Sequence, residues 1–150
     1  SSKTKKINIE KRLELGDAVI FYGSIAHGVE KVDPQAKLLY CLIGKVFDVA
    51  VDLRKGSPTF GKWVGRELSG GNGVALWVPA GFAHGFVALE DNTYVHYKCT
   101  DVHVPESERS LSYKCPEVGI AWPLTPTVVS GKDEVAPLLG DAETNFVYQA

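Results

Sequence analysis

The sequence predicts an all-β chain, an antiparallel sandwich or small barrel, on three observations. Apolar and polar residues alternate with period two over short, strand-length runs. Clusters of Gly, Pro, Asn and Asp separate those runs at close intervals, as turns do in an all-β fold. Helical periodicity is weak throughout.

The elements follow in order. Glu10 to Leu15 reads as a short helix or an extended edge segment. Strands are expected at Ala18 to Tyr22, Lys37 to Leu42, Lys45 to Leu53, Gly61 to Leu68, Val74 to Val78, Phe86 to Leu89 and Thr93 to Thr100. Ile43-Gly44, Lys55-Gly56-Ser57-Pro58, Ser69-Gly70-Gly71-Asn72-Gly73 and Glu90-Asp91-Asn92 supply turns between them. After Tyr113 the prolines at 116, 123 and 126 indicate a tail wrapping the barrel, with one helical turn near Asp133 to Leu139.

Two proton-handling side chains stand out. Pro79-Ala80-Gly81 forces a tight reversal, since proline fixes φ and glycine accepts positive φ, and so delivers His84 into the next strand at a defined point. Thirteen positions later comes Tyr97, in a run that puts Val95, Tyr97 and Cys99 on one face and Tyr94, His96 and Lys98 on the other. Tyr97 then points with the apolar residues, as a satisfied core tyrosine or a functional acid. His96 faces away from it and His103 lies in a loop, so both are expected at the surface.

With 150 residues, 45% of them hydrophobic, and a net charge of −2, the chain suits a single domain over 1–150, residues 1–8 forming a flexible tail. The charge balance favours neither nucleic acid nor a membrane surface, and no apolar run is long enough to span a bilayer as a helix. Cys41, Cys99 and Cys115 form no CxxC pair, which suits buried thiols in a reducing cytoplasm.

From about Gln35 to Leu139 the chain resembles the dTDP-4-dehydrorhamnose 3,5-epimerase family. The words that carry the resemblance are Gln35-Ala36-Lys37-Leu38, the run from Gly44 to Gly61, the run from Val78 to Phe86, Tyr97-Lys98-Cys99-Thr100, Gly119-Ile120-Ala121-Trp122-Pro123 and Ser130-Gly131-Lys132-Asp133. The resemblance implies a cupin-type jelly roll. It also implies epimerisation at C3, C5 or both of a dTDP-4-keto-6-deoxyhexose, without a cofactor, in a homodimer.

Such chemistry needs a base, a stabiliser for an enolate oxygen and an acid on the opposite face. The family's base is a histidine ten residues before the lysine of the Gln-Ala-Lys word, and that spacing falls on His27. By the same resemblance Asp133 orients the base, Lys37 stabilises the enolate and Tyr97 is the acid. His84, Asp48, Ser130 and Lys132 contact substrate.

Metal is not expected. A cupin cage draws most of its ligands from a His-x-His word, and this chain has only the later Pro-x-Gly-x-x-His word. There are also departures from the family pattern. Ser24-Ile25-Ala26-His27 stands where Arg-Gly-Leu-His would be, so an arginine that would contact the diphosphate is replaced by Ser24. A Phe-x-Asp-x-Arg-Gly word is missing ahead of His27, which points to a remodelled nucleotide clamp, with Trp63, Arg66 and Arg54 as candidate replacements. Survival of all the functional residue types favours an isomerase. The altered clamp favours a second reading, a silent or repurposed cupin that binds a sugar or sugar nucleotide.

Overall fold

The computed structural model describes residues 7–22, 35–100 and 108–150. Among them are eight strands and one short helix: β1 (Ile7–Leu13), β2 (Ala18–Tyr22), β3 (Lys37–Ile43), β4 (Lys45–Asp52), β5 (Trp63–Ser69), β6 (Ala75–Val78), β7 (Phe82–Ala88), β8 (Thr93–Cys99) and α1 (Gly131–Glu134). They form two four-stranded sheets in the orders β1-β8-β3-β6 and β2-β7-β4-β5, with every strand pair antiparallel. Successive strands alternate between sheets except at β4 and β5, which is the winding of a jelly roll.

Alternation along each strand builds the space between the sheets. Leu39 and Cys41 of β3, Val46 and Ala50 of β4, Leu68 of β5, Phe86 and Ala88 of β7 and Val95 of β8 form one buried cluster there. The outward face of the second sheet is covered as well. Val49, Val51, Leu53 and Ala83 pack against Leu111, Cys115 and Val118 of the C-terminal segment, with Trp63, Trp122 and Leu139 around them. That arrangement is the wrapping tail expected from the prolines. Burial of both faces explains why β4 reads as a nearly continuous apolar run.

Differences from expectation are local. The ambiguous segment before Leu15 is a strand, β1, which begins at Ile7, inside the tail expected over residues 1–8. It pairs with β8 along its whole length at the edge of the first sheet. β7 starts at Phe82 rather than Phe86, because the reversal is complete at Gly81. Gly81 has φ 87°, and a Cβ there would lie 2.7 Å from the Arg54 side chain, so conformation and space both require glycine. The helix is shorter and earlier than expected, a single turn capped by Ser130.

Candidate active site

The jelly roll points five ionisable side chains, four of them site candidates, inward from four strands. Asp48 lies between Val46 and Ala50 on the core face of β4, and His84 lies between Ala83 and Gly85 on β7, paired in register with Ala50. Their side chains meet, His84 Nε2 standing 2.7 Å from Asp48 Oδ1, and both are fully buried. A carboxylate in such a place needs its partner. The other oxygen, Asp48 Oδ2, is buried without a hydrogen-bond partner among the described residues.

Lys37 enters from the facing sheet. It opens β3 in register with Cys99 of β8 and Val78 of β6, and only 3% of it is exposed. Burial lowers its pKa to about 8, against weaker opposing pulls from Cys99, Glu108 and Asp48. Tyr97 and Cys99 follow on the same face of β8. Tyr97 is partly buried against the core, and burial raises its phenol pKa, with Cys99 and Glu108 adding to the rise. It therefore holds its proton as an acid must. Burial likewise keeps Cys99 a thiol.

The remaining site candidates sit on α1. Ser130 is the N-cap, and its hydroxyl donates to Asp133 Oδ2 at 2.7 Å. Asp133, at the third helical position, is buried. Ser130 is thus engaged by Asp133, and it is Ser130 that caps the turn. Lys132 is exposed and ion-paired with Glu108. α1 packs against β2, the strand that runs into segment 23–34. His27 and Ser24 belong to that segment and lie outside the described residues, as does His103.

The candidate clamp replacements are not together. Trp63 belongs to the cluster on the outer face of the second sheet. Arg54 is committed to Asp52 and lies over the rings of Phe82 and Tyr148 at 4.6 and 5.1 Å. Arg66 pairs in register with Asp48, so it lies on the barrel-facing side of edge strand β5, where it is exposed and donates to the Gly65 carbonyl. His96 is corrected: it faces outward but is covered, stacked on Tyr40 at 4.9 Å with only 13% of its side chain exposed. The pairing of Asp48 with His84 and the presence of Cys99 and Glu108 in the site were not foreseen. Period two does place Cys99 inward, whereas Glu108 lies beyond β8, where strand alternation gives no signal.

Residues 26–141 match the model of the dTDP-4-dehydrorhamnose 3,5-epimerase family. The chain belongs to this family. An epimerase of that name from Sinorhizobium fredii is 50% identical over 115 residues, covering 76% of the chain and 59% of the relative. The chain thus spans less than two thirds of that relative's length. Among solved structures, the Legionella pneumophila dTDP-6-deoxy-D-glucose-3,5-epimerase in complex with dTDP-4-keto-L-rhamnose superposes with a TM-score of 0.87 at 43% identity, covering 96% of the chain and 75% of that protein. A 3′-monoepimerase from Streptomyces bikiniensis in complex with dTDP-quinovose gives 0.80 at 32% identity, covering 89% and 66%. The epimerase family membership carries the jelly roll with it, and the strand orders above agree.

Proposed function

We propose that the chain epimerises a dTDP-4-keto-6-deoxyhexose at C3, C5 or both. The observation that carries this reading is the convergence of Lys37, the His84 and Asp48 pair and Tyr97 inside one barrel. A buried cation, a carboxylate-backed imidazole and a protonated phenol are what an enolate needs around it. Names of the similar enzymes support the substrate class.

In this reading His27 removes the hydrogen from the carbon beside the ketone, and the C–H electron pair moves into the carbonyl as an enolate. Lys37 donates to the developing oxyanion. Asp48 lies 2.7 Å from His84 Nε2 and fixes the orientation of that ring beside the oxyanion. Tyr97 then protonates the same carbon from the opposite face, and the enolate returns to the ketone. One proton is lost and one gained, so the configuration inverts with no net change in composition. Asp133 orients His27, Lys132 lies toward the substrate, and Ser130 acts on substrate only through Asp133. No cofactor or metal takes part in this scheme. The three free, buried cysteines suit a cytoplasmic enzyme.

The test is isotope exchange. The intact chain, incubated with dTDP-4-keto-6-deoxyglucose in deuterated water, is expected to place deuterium at C3, C5 or both, read by NMR, and His27→Ala is expected to abolish the label. No label from the intact chain overturns the proposal and leaves sugar-nucleotide binding without turnover as the reading.

A further inference from the structure

β8 ends on a thiol that the epimerase scheme leaves unused. Cys99 pairs in register with Lys37 of β3, follows Tyr97 by two positions on the same face of β8, and is only 4% exposed. Directly opposite residues of an antiparallel pair keep their Cβ atoms about 5 Å apart, and residues two apart on one strand share a face. Cys99 therefore adjoins two proton-bearing groups of the site at once. Its electrostatic interactions run to the same two groups: it favours the ammonium of Lys37 and opposes ionisation of Tyr97.

The chemistry of a thiol suits that place. As a neutral group it is a weak hydrogen-bond acceptor, so it packs beside an ammonium without competing with an enolate oxygen for its hydrogens. As pH rises the two groups titrate as a pair, because removing a proton from either changes how tightly the other holds its own. A thiolate beside Lys37 keeps that cation charged, and the same negative charge opposes loss of the Tyr97 proton. Val78, which pairs with Lys37 from β6, is apolar and supplies no such charge.

We propose that Cys99 is a positioning residue for the epimerase reaction, a proton-sharing partner that keeps Lys37 as the ammonium and Tyr97 as the phenol into the alkaline range. For its reaction this inference rests on the epimerase reading, but the proton sharing is measurable with no substrate present.

The experiment therefore has two kinds of readout. The full chain carrying 13C at the lysine ε-carbons is titrated by NMR without substrate, with Lys37→Arg assigning the Lys37 signal. Thiolate formation is followed in parallel as the ultraviolet absorbance difference between each chain and its Cys99→Ser counterpart. The other charged and titratable groups around the pair are Tyr97 of β8, Glu108 beyond it, Lys132 of α1, and Asp48 of β4 with its partner His84 of β7, all kept in every variant. Cys99→Ser is expected to move the Lys37 titration to lower pH by about one pH unit. Cys99→Ala is expected to shift it in the same direction, and serves where the serine does not give the parent's circular dichroism. Lys37→Met is expected to move thiolate formation to higher pH, since the ammonium that eases it is gone. In the exchange assay, Cys99→Ser is expected to lose label uptake at lower pH than the parent, the loss falling on kcat rather than KM. A Lys37 titration that stays put in both Cys99→Ser and Cys99→Ala, or thiolate formation indifferent to Lys37→Met, overturns the proposal. An inactive parent that shows both shifts would defeat the epimerase reading and leave the proton sharing standing.

Discussion

Lys37 carries a charge where the fold would be more stable without one. Its ammonium is buried, and its pKa falls from 10.5 to about 8. Between those values the unfolded chain binds a proton that the folded chain has released, so Lys37 makes stability rise with pH from about 8 to 10.5. Below pH 8 the folded protein bears the full cost of the buried charge. Lys37→Met is expected to raise stability at pH 7 by roughly 3 kcal/mol, read by urea unfolding, while abolishing isotope exchange. Exchange by the parent is expected to fall as pH rises through about 8, as the ammonium is lost. The inward direction of Tyr97 was legible because β8 alternates cleanly. That of Lys37 was not, because Leu38 and Leu39 are both apolar and give no phase. His96 was misread for a related reason: its cover, Tyr40, stands on another strand, and cross-strand register is not written in the alternation of one strand.

At the scale of elements, the connection from β4 to β5 is held by one buried carboxylate. Asp52 accepts from the Arg54 backbone amide and guanidinium and from the hydroxyls of Ser57 and Thr59, at 2.6 to 2.9 Å. Burial alone would raise its pKa, but these donors overcome that and hold it well below the usual carboxylate range. Its contribution to stability is therefore complete above the unfolded carboxylate value, about pH 4, and is lost as pH falls toward the folded value. Asp52→Asn is expected to cost about 3 kcal/mol at pH 7 and to shrink that loss on going from pH 5 to 2, as followed by tryptophan fluorescence. The turn residues around Gly56 and Pro58 marked this connection in advance. What they could not convey is that Arg54, once free to be considered for phosphate, is taken by Asp52 and by the ring of Tyr148, far along the chain. The spacing of Gly, Pro, Asn and Asp located most strands to within a residue or two, because turns are encoded locally. Pairing depends on distant partners, so the edge role of β1 stayed open until β8 was seen beside it.

For the whole molecule, the outward face of the first sheet is the less covered one among the described residues. Trp77 on β6 and Leu42 and Ile43 on β3 are 54%, 46% and 58% exposed, and Trp77 pairs across to Leu38, while the C-terminal segment covers the other sheet. We propose that this face joins two copies of the chain, the homodimer implied by the family resemblance. Trp77→Glu is expected to give a folded monomer by sedimentation, with its circular dichroism unchanged, and a dimer that survives the substitution would exclude this face.

β8 lies between β1 and β3, and Ile7 pairs with Cys99, 92 positions away. During synthesis, then, the earliest described strand must wait unpaired until the last one has been made. The first sheet closes in one late, non-local event, so folding is expected to be slow for a chain of this size.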